Sequence, residues 1–359
     1  MVKGIGAVRL QALLDFFGDP EIAWNAPPDA LQNAGLSQKI IDNLVRLRSG
    51  LDLEAVMARL AKAGINVLTR QDDAYPRLLK QIDQPPPVIY VRGEILPEDD
   101  FAVAVVGTRR ITVYGRQIAE EVGNYLAQNG ITVVSGLARG VDAVAHDAAI
   151  RGGGRTFAVL GCGVDRIYPP ENRHLAEKII ERGALISDYA PGTPPDAINF
   201  PPRNRIISGL SLATVIIEAG ETSGALITAS FAADQGREVL AVPGNIHAPQ
   251  SKGCNRLIQQ GARSLLRLEE ILEAIKIDQV QARQEARAAI PADPVEASIM
   301  QLMSAEPLHI DEIQAQSGLS IDRVSATLTI LELKGMVRQV GGMNYVAIRE
   351  TGVRYLTDD

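Results

Sequence analysis

Five arginines in the middle of the chain are the residues best suited to chemistry, because each follows a short apolar run or lies in a loop. They are Arg109, Arg110, Arg139, Arg203 and Arg205. A guanidinium group keeps its charge at physiological pH and binds phosphate through paired N–H donors. Several arginines spread along one edge of a fold suit a polymer of phosphates better than a single nucleotide. These residues therefore predict an anion site.

Glycines mark the ends of most of these apolar runs. Gly220 follows one run closely, and four other runs reach a glycine at or within two residues of their end: Gly107, Gly136, Gly161 and Gly244. In a parallel sheet such ends share one edge, where glycine lets backbone N–H groups approach an anion. The helices that follow begin with free N–H groups, which also favour anions. The alternative is that these glycines serve only tight turns.

Two common nucleotide-binding motifs are missing from this edge. The first apolar run leads into GTRRITVYG, which is not the dinucleotide fingerprint GxGxxG. No GxxxxGK[ST] phosphate loop exists, and the glycine-rich segment GETSGALIT (220–228) lacks its lysine. The sequence therefore argues against a P-loop nucleotidase and predicts no cofactor. His174, His247 and His309 are scattered through the sequence, so no metal site is predicted either.

The segment NFPPRNRIIS (199–208) joins an aromatic ring to charged and amide side chains, namely Asn199, Phe200, Arg203, Asn204 and Arg205. An exposed ring flanked by arginines can stack an unpaired base, which contributes roughly 1–3 kcal/mol per base. The alternative is that Phe200 packs into the core between Pro201 and Pro202.

Three side chains could act as acid–base groups. Glu218 ends the fifth apolar run, and Asp142 and His146 stand one helical turn apart. Asp142 and His146 can equally be a capping or packing pair, and Glu218 can equally brace a loop arginine. No set of nucleophile, base and orienting group is visible. A Rossmann-like nucleotide hydrolase, similar to the phosphoribohydrolases, is therefore the alternative function and not the main one.

The elements that must position these residues alternate between short apolar runs and helix-length amphipathic segments. Six runs read as strands: 101–107, 131–136, 155–161, 184–190, 212–220 and 238–244. Regular strand–helix alternation predicts an α/β fold with a Rossmann-like, doubly wound, mostly parallel sheet. We place this domain at residues 101–276.

Smaller domains are predicted on both sides of the sheet. Residues 1–70 read as a helical domain of the SAM or helix-hairpin-helix type, since Gly4-Ile5-Gly6 precedes a helix as in such hairpins; a plain packing module is the alternative. Residues 71–100 read as a connecting segment and 277–294 as a linker. Residues 295–359 offer three helices and a hairpin, which is a winged helix.

The predicted recognition helix of the winged domain, at about 320–334, carries only Arg323 and Lys334 as basic residues. Such a helix is poorly suited to reading duplex DNA. We therefore expect a protein-interaction or dormant module.

Composition limits the protein's class. Net charge is −7 overall, yet residues 101–270 carry 17 basic against 16 acidic side chains, and a local groove sets affinity for nucleic acid. Only Cys162 and Cys254 are present, too few for a disulfide framework. No run approaches the ~20 apolar residues of a membrane span, and MVKGIG does not read as a signal peptide. We expect a cytoplasmic protein without a membrane partner.

Several segments in order give a specific resemblance over roughly residues 100–266. They are VVGTRRITVYG, SGLARGVDAVAHDAAI, AVLGCGVDRIYPPEN, NFPPRNRIISGLS, EAGETSGALITASFAADQGREVLAVPG and GCNRLIQQGA. Together they resemble the DNA-processing protein A family, also called DprA or Smf. The helical N-terminus and the winged helix fit the three-part layout of that family.

The resemblance implies a protein that binds single-stranded DNA during natural transformation and protects the incoming strand. It further implies loading of the recombinase RecA, displacement of single-strand-binding protein, annealing, and a homodimer formed through the Rossmann-like domain. By motif, Arg109 would be a phosphate ligand. The same groove would be lined by Gly136, Arg139 and the loop from Asn199 to Arg205, together with Gly107 and Arg110. A third possibility is a pure interaction module, in which ITASFAA and LLRLEEILEAI supply the surface.

Overall fold

The computed structural model describes residues 2, 4–275, 294–303, 307–333 and 337–347. The chain divides into two compact units, residues 1–275 and 276–359. The helices of the first unit are α1 Ala7–Phe17, α2 Pro20–Asn25, α3 Pro28–Asn33, α4 Gln38–Gly50, α5 Leu53–Lys62, α6 Arg77–Lys80, α7 Val113–Gln128, α8 Val141–Arg151, α9 Arg173–Arg182, α10 Phe200–Gly209, α11 Ala225–Asp234, α12 Lys252–Gln259 and α13 Glu269–Ile275.

The strands of the first unit form one sheet. They are β1 Ile65–Thr69, β2 Val88–Gly93, β3 Ala102–Val106, β4 Thr132–Ser135, β5 Thr156–Val159, β6 Gly183–Ser187, β7 Ala213–Ile216, β8 Glu238–Ala241 and β9 Arg263–Ser264. Among the described residues the sheet has nine strands in the order β1-β2-β6-β5-β4-β3-β7-β8-β9. Strands β3 to β9 pair in parallel, which confirms the predicted Rossmann-like, mostly parallel fold.

The six predicted strands correspond to β3 through β8. Every residue of β3 and of β6 is buried, as expected for strands covered by helices on both faces. The apolar runs from which the strands were predicted therefore form the core of the sheet.

Two further strands lie where the sequence analysis placed a helical domain and a connecting segment. Strand β2 pairs antiparallel with β6, and β1 pairs antiparallel with β2. The Tyr75 hydroxyl donates to the Pro86 carbonyl at 2.7 Å and fixes the approach to β2. Without β2, the edge of β6 would expose unpaired backbone groups, so this segment is part of the sheet.

The direction of the chain reverses at β3. From β3 the chain proceeds to β4, β5 and β6 on one side, and then crosses to β7 on the other side. In open α/β sheets the crevice at such a reversal, beyond the carboxyl ends of the strands, is where ligands bind. The loops after β3 and β7 border this crevice.

Helices α1 to α4 have a small core of their own, which includes Leu13, Leu31, Ile41 and Leu44. The longest helix in the described part of the chain is α7, with 16 residues. None of the described helices has the length and apolar character required to cross a bilayer.

The second unit is a winged helix, as predicted. Its helices are α14 Pro294–Leu302, α15 Ile310–Ser317 and α16 Ile321–Leu333, and its strands are β10 Leu308–His309, β11 Val337–Gly341 and β12 Asn344–Ala347. The strands form a sheet in the order β10-β12-β11. Arg323 is exposed on α16, while Lys334 and the linker up to residue 293 lie outside the described residues.

Candidate nucleic-acid interface

The loop after β3 is held by backbone hydrogen bonds. The Thr108 N–H donates to the Glu218 carbonyl at 2.7 Å, and the Thr108 carbonyl accepts from the Val141 N–H at 3.2 Å. The Thr108 hydroxyl accepts from the Arg110 N–H at 3.1 Å. The side chains of Arg109 and Arg110 are exposed. The loop therefore presents both cations to solvent from a fixed backbone.

Glu218 anchors the other end of this loop. Its buried carboxylate accepts the Thr112 N–H at 3.0 Å and the Thr112 hydroxyl at 2.5 Å. The Thr112 hydroxyl in turn accepts the Gly115 N–H and caps α7. Glu218 is thus engaged in holding the start of α7.

The loop after β4 is shaped by Asp142 of α8. Its Oδ2 atom accepts the N–H groups of Gly136 at 3.1 Å and Ala138 at 3.3 Å. Gly140 has a φ of +76°, and a Cβ there would collide with the Thr108 carbonyl, so only glycine fits. Arg139, which lies between Ala138 and Gly140 in this loop, is exposed and forms an ion pair with Glu171.

Arg203 lies inside the protein. Its guanidinium donates to the carbonyls of Gly136, at 3.0 Å, and Val159. Burial lowers the pKa of Arg203 to about 10, and the nearby carboxylate of Asp142 opposes that shift. Burial also raises the pKa of Asp142, against the attraction of Arg203. Arg203 therefore links the carboxyl ends of β4 and β5 through hydrogen bonds made inside the protein.

His146 is fully buried one turn after Asp142. Its Nδ1 lies 2.6 Å from the Thr156 hydroxyl, and burial, with the charge of Arg203, lowers its pKa to about 3. The imidazole is therefore neutral at physiological pH and packs in the core.

Two predicted site residues are directed elsewhere. Arg205 donates to Asp188 at 2.7 Å and to the Gln84 carbonyl at 2.8 Å, and it lines a different cavity, of about 740 Å³, on the α1 side of α10. The Asn199 carbonyl accepts the Tyr189 hydroxyl at 3.4 Å. Neither side chain lines the cleft described next.

A cleft of about 770 Å³ opens at the reversal between β3 and β7. The loops after both strands, the start of α10 and the start of α11 form its walls. Six of the predicted site residues line it: Gly107, Arg109, Arg110, Phe200, Arg203 and Asn204.

Phe200 has features of both predicted roles, base stacking and packing in the core. The ring is half-buried and lies against Gly161, where a Cβ would be 2.9 Å from the Phe200 Cδ1 atom. The guanidinium carbons of Arg109 and Arg203 lie 5.8 and 5.7 Å from the ring centroid, within the range of cation–π attraction. One part of the ring is therefore packed, and another part faces the cleft.

A small niche of about 30 Å³ adjoins the cleft. Arg109, Gly136, Ala138 and Arg139 line it, together with Tyr168, Pro169 and Phe200. The other two predicted residues, Gly136 and Arg139, thus meet Arg109 and Phe200 here. Two exposed guanidinium groups on one niche are suited to a phosphate.

Two parts of the cleft were not predicted to bind, although the segment 220–228 and the motif that contains Tyr168 stand out in the sequence. Tyr168 lines both the cleft and the niche, and its ring centroid is 5.6 Å from that of Phe200. Thr222, Ser223 and Gly224 precede α11 and line the cleft as well. An aromatic residue before two prolines, in a loop that follows a glycine-ended strand, was the available signal for Tyr168.

Family models match most of the chain. The model for DNA recombination-mediator protein A matches residues 66–276, and the model for the DprA winged helix domain matches residues 283–343. Protein Smf of Synechocystis is 36% identical over 96% of both chains. DNA processing protein DprA of Bacillus subtilis is 37% identical over 72% of this chain and 90% of its own.

Two solved structures are similar to this chain. DNA processing protein A of Streptococcus pneumoniae has a TM-score of 0.65 and 32% identity, covering 76% of this chain and 94% of that chain. DNA processing protein A of Helicobacter pylori has a TM-score of 0.54 and 28% identity, covering 60% and 96%. The latter structure is described as giving insight into a unique single-stranded DNA binding mode.

Proposed function

Because the chain belongs to the DNA recombination-mediator protein A family, we propose that it binds single-stranded DNA in the cleft between β3 and β7. The observation that carries this proposal is the meeting of Arg109, Arg110 and the Phe200 ring at one cleft. The described binding of single-stranded DNA by the Helicobacter pylori relative supports it.

Phosphate contacts and base stacking both contribute to binding, through different side chains. Arg109 and Arg110 take successive phosphates, which carry little sequence information, so binding is sequence-tolerant and sensitive to salt. The exposed part of Phe200 stacks an unpaired base, which a duplex offers only after its strands separate. Arg203 does not bind the strand through these donors; its hydrogen bond to the Gly136 carbonyl holds the loop after β4 in place.

Binding, and not hydrolysis, is the role that the acid–base candidates support. Glu218 holds Thr112, Asp142 holds the loop after β4, and His146 is buried and neutral. Each of these groups has a structural partner in the described part of the chain. These contacts favour a structural role for the three groups and a binding role for the cleft.

We extend the proposal to the partners that the family resemblance implies. The protein protects DNA entering the cell by transformation, loads RecA onto it in the cytoplasm, displaces single-strand-binding protein and promotes annealing. It forms a homodimer through the Rossmann-like domain, which would hold two strand segments together.

Fluorescence anisotropy across a salt series tests the proposed site, with labelled oligo-dT and a matching duplex. We expect the wild type to prefer the single strand. Arg109→Ala should weaken that binding roughly tenfold or more, since it removes a charged hydrogen bond. It should also lower the slope of log affinity against log salt by about 0.7, the value for one phosphate on a single strand.

Arg151→Ala is the matched control. Arg151 is exposed at the far end of α8 and pairs with Asp147, away from the cleft. It removes the same charge without touching the proposed site. Equal affinity for duplex and single strand would contradict the stacking part of the proposal. Equal effects of Arg109→Ala and Arg151→Ala would contradict the cleft as the site.

A further inference from the structure

Tyr168 is an exposed aromatic residue in the loop between β5 and α9. It is 42% accessible, more than the half-buried Phe200. Its hydroxyl makes no hydrogen bond within the described part of the chain. A partly exposed aromatic ring at the wall of a cleft can offer a face to a ligand.

The loop that carries Tyr168 is fastened to the loop after β4. Pro169 is buried, and the Asn172 side-chain amide donates to the Leu137 carbonyl at 2.8 Å. The same amide also lies 3.4 Å from the Ala138 carbonyl, to which it donates. The position of the Tyr168 ring is therefore tied to that of the residues lining the niche, which lowers the entropy cost of stacking a base on it.

The rings of Tyr168 and Phe200 form a pair, but they do not cover each other. Their centroids are 5.6 Å apart and their planes are inclined by 41°. Two rings side by side at an angle can each receive a base, whereas a parallel stack would hide one face of each. Proteins that bind single strands use successive aromatic rings for successive bases in this way.

Two neighbouring nucleotides share one phosphate, and the niche carries cationic side chains that can bind it. Arg109 and Arg139 line it together with both aromatic rings and the backbone at Gly136. A phosphate between two bases on Phe200 and Tyr168 would lie near both guanidinium groups.

We propose that Tyr168 is a second base-stacking residue, so that the site holds two successive nucleotides with their shared phosphate in the niche between Arg109 and Arg139. This inference rests on the proposed binding of single-stranded DNA, and it goes further by giving the site a length and a second ring. Thr222 to Gly224, which line the cleft but not the niche, do not take part in it.

The test compares two probes on the full chain by anisotropy: labelled oligo-dT, and a strand of equal length whose residues are all abasic. Tyr168→Ala should bind oligo-dT roughly tenfold more weakly, because one stacked base is lost. Its affinity for the abasic strand should equal that of the wild type. Tyr168→Phe should bind both probes like the wild type. Phe16→Ala removes an exposed ring outside the cleft and should change neither affinity.

Thermal unfolding of each variant separates stacking from folding. If Tyr168→Ala melts early, Tyr168→Leu, which is apolar but not aromatic, should show the same selective loss on oligo-dT. Unchanged oligo-dT affinity in these variants, equal loss on both probes, or a loss in Tyr168→Phe would overturn the proposal. Failure of the wild type to bind any single strand would instead overturn the proposed function.

Discussion

Arg109 and Arg139 line the same niche but differ in what surrounds their charges. The Arg109 guanidinium lies beside the Phe200 ring, whereas Arg139 is paired with Glu171. Both members of that pair are largely exposed, with 62% and 48% of their side chains accessible. Exposed ion pairs are weak in water, so a phosphate can replace Glu171 as the partner of Arg139.

Glu171→Gln should therefore tighten binding of single-stranded DNA. The hydrogen bond from Arg139 lowers the pKa of Glu171, so this carboxylate is ionised at neutral pH and competes with phosphate. Removing its charge should raise affinity for oligo-dT severalfold, as measured by anisotropy at low salt. Glu177→Gln, which removes a still more exposed carboxylate from α9, controls for the change in net charge. The prediction fails if the two variants gain the same affinity.

Arg203 illustrates why residue type alone did not assign the roles in the cleft. Its position in the sequence predicted a phosphate ligand beside Arg109, and its place in the cleft wall keeps it near the proposed strand. Its donors to Gly136 and Val159 are directed inward, however. Buried polar groups require partners, and here the carbonyls at the strand ends are those partners.

At the level of elements, the packing of α7 on α8 controls the loop after β4. Gly123 of α7 lies so close to α8 that a Cβ there would be 2.8 Å from the Ala148 Cβ and 2.9 Å from the Ala145 carbonyl. Since α8 carries Asp142, a shift of this helix would move the loop that holds Arg139.

Gly123→Ala should lower the free energy of unfolding by about 1–3 kcal/mol, the usual cost of overpacking a core. This loss opposes the gain that replacing glycine with alanine in a helix normally brings. Gly50→Ala, at the open end of α4, is the matched control, because no atom lies within 4 Å of a Cβ built there. Urea unfolding should show stabilisation in Gly50→Ala and destabilisation in Gly123→Ala. Two stabilised variants would contradict the close packing.

At the level of the whole molecule, the cleft and the winged helix belong to separate compact units. Every residue that lines the cleft lies in the unit that ends at Ile275. The chain after residue 270 is acidic, with 8 basic against 13 acidic side chains, whereas the region around the cleft is close to neutral. A net charge of −7 is therefore compatible with a local site for polyanions.

A chain truncated after Ile275 should bind oligo-dT as tightly as the full chain, because it keeps the whole cleft. Anisotropy on both forms measures this, and Arg109→Ala in the truncated form should cause the same loss as in the full chain. Weaker binding by the truncated chain, with an unchanged effect of Arg109→Ala, would show that the winged helix adds contacts of its own.

The sequence by itself determined the strands β3 to β8, their parallel arrangement and the winged helix. These features follow from local patterns, since a strand buried on both faces must be an apolar run, and regular alternation with helices forces parallel connections. The same logic placed Arg109 and Arg110 at the edge of the sheet, because the carboxyl ends of parallel strands meet there.

Only the tertiary structure decided which side chains face the cleft. Arg203 is turned inward, Arg205 pairs with Asp188 on the other side of α10, and Tyr168 meets Phe200. The direction of a side chain and the contacts between residues far apart in the sequence depend on the packing of whole elements, which no local pattern encodes. For the same reason the pairing of β2 with β6 could not be read from the proline-rich segment that precedes it.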